Sequence, residues 1–303
     1  MAVNYLCRRQ SSATLAAGHP NLRNSLTKKS NVTRRFPDYT DPPVIEVVCG
    51  INFLPLEKFK AIHIGLFWER LKAEFPETQE HSPLASTIEQ FSVPPPPPVA
   101  DVRVMQAPPL PRVWFLDKSG NGIVQVQRDA FLHNWRKLSP KDKYPRFRVV
   151  VENFKRQFEI FRTFAAEFSL GDIAPLQCEL TYVNHVSENP YWSASSHVGA
   201  LFPDFAWRHD EKRFLPSYEG ASIRIPFRLP NSAGRLYTSI HTGFRRADNS
   251  PVLVLEMKCR GMPTDTSLSG IWGWFEVAHE WIVRGFADLA DVKAQRELWG
   301  FKG

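Results

Sequence analysis

A chain of 303 residues with 43% apolar content can bury a large core, as one big domain or two modest ones. No run approaches the roughly 20 apolar residues of a membrane-spanning helix, and that excludes a helical membrane protein. Cys7, Cys49, Cys178 and Cys259 stand far apart with no CxxC pair. This argues against a structural zinc ribbon or a disulfide framework, fits a reducing cytosol, and implies no metal or cofactor.

The formal net charge of +7 invites a nucleic-acid reading, but its distribution decides more than its total. Residues 1–40 hold Arg8, Arg9, Arg23, Lys28, Lys29, Arg34 and Arg35 against Asp38 alone, so the other 263 residues carry 31 bases and 30 acids. The remaining body is close to neutral. Rich in Ser, Asn and Thr, residues 1–40 have too few large apolar side chains to bury anything and read as a disordered basic tail. The same composition admits a start-site extension, an organellar transit peptide, and a DNA-, RNA- or lipid-binding arm.

In chain order, Asp41-Pro42-Pro43 imposes extended backbone on the β-branched run Val44-Ile45-Glu46-Val47-Val48, continuing to Phe53 as a buried strand. Leu56, Phe59, Ile62, Ile64, Phe67, Leu71 and Phe75 recur at mostly three- and four-residue steps and predict an amphipathic helix ending before Pro76. Residues 92–111, with Pro94 to Pro98, Pro108, Pro109 and Pro111, predict a stiff spacer inside the domain. Residues 112–116 and 123–127 flank Ser119-Gly120-Asn121-Gly122 and predict a β-hairpin. From Tyr144 a wide aromatic stripe through Phe147, Val150, Val151, Phe154, Phe158, Phe161, Ala165 and Phe168 predicts a long helix lying on a sheet, stopped at Gly171. Strands are expected over Leu176–Asn184, Ser222–Leu229, Leu236–Phe244 and Val252–Cys259, followed by a helix carrying Ile271 to Leu289.

Each half thus reads strand, helix, several strands, long helix, and each opens with a proline nine residues before an asparagine, Pro43 to Asn52 and Pro175 to Asn184. The expected fold class is α+β: two related units, 41–171 and 172–303, joining into one curved antiparallel sheet with both long helices on one side.

Three segments in order carry a family resemblance: Asp41-Pro42-Pro43-Val44-Ile45-Glu46-Val47-Val48 through Ile51-Asn52-Phe53, then Glu179-Leu180-Thr181-Tyr182-Val183-Asn184, then Ala278-His279-Glu280-Trp281-Ile282-Val283-Arg284-Gly285-Phe286-Ala287-Asp288-Leu289 with Leu298-Trp299-Gly300. From about residue 38 to the C-terminus the chain resembles a sporadically distributed family of uncharacterised prokaryotic proteins. The resemblance brings no catalytic residues with it and implies an accessory role in genetic conflict or phage defence.

Reactive signatures are scarce. His279-Glu280 lacks the second histidine a zincin needs, since Val283 occupies that position, and no GxxxxGK[ST], strand-following GxGxxG or GxSxG occurs. Asp204, His209, Asp210 and Glu211 could build an acid-base or metal site, but His209-Asp210-Glu211-Lys212-Arg213 also reads as a solvated turn. Arg224, Arg228, His241, Arg245, Glu256 and Lys258 fall on or beside the polar positions of the last strands and form an anion or nucleic-acid candidate. Tyr191, Trp192, Phe202, Phe205, Trp207 and Phe214 sit in a long irregular stretch; rings there anchor a protein partner or seal the end of a core. The expected function is binding or regulation without catalysis, through a protein partner in the cytoplasm. A small-molecule or enzymatic pocket between sheet and helices is the alternative, and nucleic-acid binding the third reading.

Overall fold

The computed structural model describes residues 36–85, 88–89, 110–193, 198–207, 212–216, 218–245 and 248–302. The prolines at 94–98, Pro108 and Pro109, the basic residues before 36, and His209, Asp210 and Glu211 lie outside them.

Strand β1 (Val44–Phe53) starts directly after Pro43, as the β-branched run dictates. Helix α1 (Ala61–Leu71) is shorter than its apolar periodicity, because Leu56, Phe59 and Phe75 enter the core from the flanking turns. Strand β2 (Glu77–His81) follows. Strands β3 (Arg112–Leu116) and β4 (Gly122–Gln127) form the expected hairpin. Its turn is closed by Asp117, whose carboxylate accepts from the Ser119 and Gly122 amides at 2.9 Å, and Gly120 takes a φ of 74°. Strand β5 (Ala130–Arg136) and helix α2 (Phe147–Glu167) complete the first half. The second half runs β6 (Pro175–Ser187), short α3 (Val198–Leu201), a 3-10 turn at Pro203–Phe205, β7 (Ser222–Arg228), β8 (Arg235–Phe244), β9 (Pro251–Gly261), α4 (Leu268–Leu289) and α5 (Val292–Trp299).

All nine strands join one antiparallel sheet in the order β2-β3-β4-β5-β1-β6-β9-β8-β7. The class is α+β. Strands β1 and β6 pair at the centre with Cys49 opposite Leu180, so residues 41–171 and 172–303 contribute to a single sheet and a single core. Asn52 pairs with Gln177 and faces away from the core that Asn184 enters, where the Asn184 amide donates to the Leu255 carbonyl at 3.1 Å. The Pro-to-Asn spacing therefore does not mark equivalent positions in the two halves.

Helix α2 packs on β1 and β5, and α4 on β6, β8 and β9. The two helices touch through Phe154, whose ring lies 5.4 Å from Phe275 and 5.8 Å from Trp272. At the edges, β2 is short and polar, and β7 carries Pro226 in its middle. Both features discourage strand addition, because an edge needs exposed amides in register and proline has none.

Candidate functional site

The apolar stripe of α4 buries Ile271, Trp274, Phe275, Ala278, Ile282, Phe286 and Leu289. At Gly285 a Cβ would stand only 3.1 Å from Met257 Cε and 3.3 Å from Leu236 Cδ2, so the missing side chain lets the helix settle closely on β8 and β9. Beside that contact a cavity of about 460 Å³ opens between the C-terminal part of α4, strands β7 and β8, and the Pro203–Phe205 turn. Phe227, Leu236, Trp281 and Leu289 supply its apolar lining, and Asp204, Glu280, Arg284 and Asp288 its charged groups. Thr238 also lines it: the residue is 2% exposed, and its Oγ1 has no hydrogen-bond partner among the described residues. The Arg284 guanidinium donates to Glu280 at 2.8 Å, one helical turn away. Size and lining match small-molecule sites, which span roughly 300–1,000 Å³ and combine an apolar wall with a few polar groups.

The other face of the sheet is a polar network. A ladder runs from Arg112 to Gln125 (2.8 Å), from Gln125 to Asn134 (2.6 Å) and from Asn134 to Glu46 (2.7 Å), crossing β3, β4, β5 and β1. Leu84 and Glu89, beyond β2, reach this face. Leu84 exchanges backbone hydrogen bonds of 3.0 Å with the Gln127 amide, the Glu89 amide donates to Gln177 at 2.8 Å, and the Glu89 carboxylate takes the buried Arg235 guanidinium and the Tyr237 hydroxyl. Next to it Arg260 donates to Glu179 at 2.7 Å, while Lys258 lies 3.6 Å from Glu179 and 3.4 Å from Glu256. Burial pushes the Glu179 carboxyl up, but Lys258 and Arg260 outweigh it and hold the group below the ordinary carboxylate range.

Strand register places the anion candidates Arg224, Arg228, His241 and Lys258 on this same face, and Arg245 follows directly after β8. They do not form an uncompensated basic surface. Lys258 is held by two glutamates, Arg224 stacks 4.6 Å from the Tyr237 ring, and Arg245 bonds Ser187 at 2.9 Å and lies 3.6 Å from Asp248.

The aromatic candidates separate in the fold. Trp192, at 2% exposure, and Phe202, at 0%, are core residues and present no ring to a partner. Phe205 is half-buried against the core, and the half-buried Tyr191 donates its hydroxyl to Glu297 of α5 at 2.6 Å. Trp207 meets Tyr218 edge-on at 5.3 Å with the Arg213 guanidinium 3.9 Å above its ring, and Phe214 is 97% exposed. The position of the rings in sequence did not distinguish these fates, because irregular backbone has no periodicity from which to read an inward face.

Buried reactive groups are held in inert forms. His279 lies 4.0 Å from Phe147 with ring planes 5° apart, and burial, helped by the charge of Arg148, pushes it down to about 4. His133 is pushed down to about 4 mainly by burial. The Tyr144 and Tyr182 hydroxyls share a hydrogen bond of 2.8 Å, and burial raises both phenols. Cys49, Cys178 and Cys259 are buried thiols with no disulfide, each pushed up by burial, Cys178 to about 12. Among the described residues no group of three or more His, Cys, Asp or Glu side chains is placed to hold a metal ion. None of their helices is long and apolar enough to cross a membrane.

Fold and site together define an α+β protein with one antiparallel sheet, a cavity against α4 and a polar, internally paired opposite face. Comparison with family models, with curated proteins and with solved structures finds no match for the chain. Of the cavity residues, the sequence singles out Asp204 and Glu280 for other chemistry and does not single out Thr238. A signal was present: Thr238 sits between Leu236 and Ile240 in the inward phase of β8, a polar residue where alternation calls for an apolar one.

Proposed function

We propose that the chain is a non-catalytic binding or regulatory protein whose site is the cavity between α4 and strands β7 and β8, and that the cavity takes a small molecule. The supporting observation is the cavity itself, of about 460 Å³, with a mainly apolar wall and the charged side chains of Asp204, Glu280, Arg284 and Asp288 in its lining. In the same reading the two halves are related units with both long helices on one side, the protein works in the cytoplasm, and its part is accessory, in genetic conflict or phage defence. The unpaired thiols suit that compartment, and the pairing of β1 with β6 at the sheet centre suits the duplication. Methyl-detected NMR of the full chain during a fragment titration tests the site. Shifts are expected at Leu236 and Leu289, on opposite walls, and shifts confined to other methyls refute the assignment.

A protein partner is the second reading, and the exposed side chains of Phe214, Leu215 and Phe244 favour it. Support for nucleic-acid binding is weaker, because Glu89, Glu179 and Glu256 engage Arg235, Arg260 and Lys258 on the face that would carry it.

A further inference from the structure

We infer that the cavity against α4 selects a small amphipathic cation: a ring-bearing apolar body with an ammonium group. This rests on the reading of the cavity as a small-molecule site and adds the charge of its occupant.

The apolar lining of Phe227, Leu236, Trp281 and Leu289 suits a flat hydrophobic body. Thr238 belongs to the sheet-side wall, with its Oγ1 buried beneath the cavity surface and unbonded among the described residues. The charged groups then set the sign. Three carboxylates, Asp204, Glu280 and Asp288, face one guanidinium, and Arg284 is already engaged by Glu280 at 2.8 Å. Asp204 and Asp288 have no ion-pair partner among the described residues.

Backbone electrostatics point the same way. Asp288 lies in the last turn of α4, at the negative end of the helix dipole, and that turn holds no basic side chain. An acid in that place is repelled by the helix that carries it. A ligand cation in the cavity relieves the repulsion, whereas an anion meets two carboxylates and a helix C-terminus.

The test uses the full-length chain and three probes that share an indole ring: tryptamine, the uncharged tryptophol and indole-3-acetate, titrated calorimetrically at low and at physiological salt. Tryptamine should bind about tenfold tighter than tryptophol, and indole-3-acetate weakest, with the preference shrinking as salt is added. The double variant Asp204→Asn with Asp288→Asn should bind tryptamine and tryptophol alike. Equal affinity for all three probes, with shifts at the Leu236 and Leu289 methyls, overturns the cation preference and leaves the small-molecule reading standing. If no probe moves those methyls, both fall.

Discussion

The two long helices meet the sheet through unlike surfaces. Between α2 and strands β1 and β5, Phe53, Phe131, Phe154, Phe158 and Phe161 are at most 1% exposed and pack ring on ring, with Phe131 and Phe161 at 5.1 Å. At the C-terminal part of α4, Gly285 touches down and the half-buried Trp281 stands beside a cavity. A phenylalanine at each turn fills the space between helix and strand, whereas a glycine next to a large ring gives close approach on one side and a gap on the other. One contact is built for cohesion; the other leaves room for an occupant.

The sharpest way to break this contrast is Phe161→Ala, which removes a ring that touches Phe53, Phe59, Phe67 and Phe131. A loss of about 4 kcal/mol in urea-denaturation stability is expected; a loss below about 1 kcal/mol would mean the aromatic layer is looser than its burial implies. Glu89→Ala should cost about 3 kcal/mol by leaving Arg235 buried without its carboxylate, and it should expose the chain after His81 to limited proteolysis. Replacing both partners, Glu89→Leu with Arg235→Met, should recover most of the stability.

Acid sharpens the comparison from another side. His133 under α2 is pushed down to about 4 in the fold, so the unfolded chain takes up its proton first as pH falls below the ordinary histidine value of about 6.5. Stability is therefore fully present above that value and is withdrawn down to about pH 4, with about 2 kcal/mol lost between pH 7 and pH 5. His279 contributes with the same sign. A His133→Leu variant should flatten the profile measured by chemical denaturation across that range; an unchanged slope assigns the dependence to other groups. The smallest effect belongs to the cavity. Without ligand, Thr238→Val should change stability by less than about 1 kcal/mol, towards greater stability, because an unbonded hydroxyl is removed. A clear loss in thermal melting would reveal a partner for that oxygen.

Much of the fold was legible. Half-solvated strands such as β6 and β9 alternate visibly, and α2 and α4 carry unbroken stripes over five or six turns. Strand β5 escaped notice because Ala130 to Trp135 are buried on both faces, so Ala-Phe-Leu-His-Asn-Trp shows no alternation. Strand β2, with four of its five residues exposed, carries no apolar signal at all. Helix α5 is short and polar, yet its start is marked by Asp291, whose carboxylate caps the Lys293 and Ala294 amides at 2.9 Å. The site was less legible. Strand register puts cations of β7, β8 and β9 on one face, but their sequence could not show Glu89, more than a hundred residues earlier in the chain, placed among them.

Local composition by itself determined the periodic strands and the two long helices, the near-neutral charge after residue 40, and the antiparallel α+β class, because these follow from spacing along the chain. Only the tertiary structure decided that β1 meets β6 at the centre of one sheet, that Glu89 neutralises Arg235, and that Asp204, Thr238 and Asp288 surround one cavity. The reason is physical: periodicity records which side of an element is buried, whereas the identity of what lies against that side is set by strand pairing and loop closure over long sequence separations.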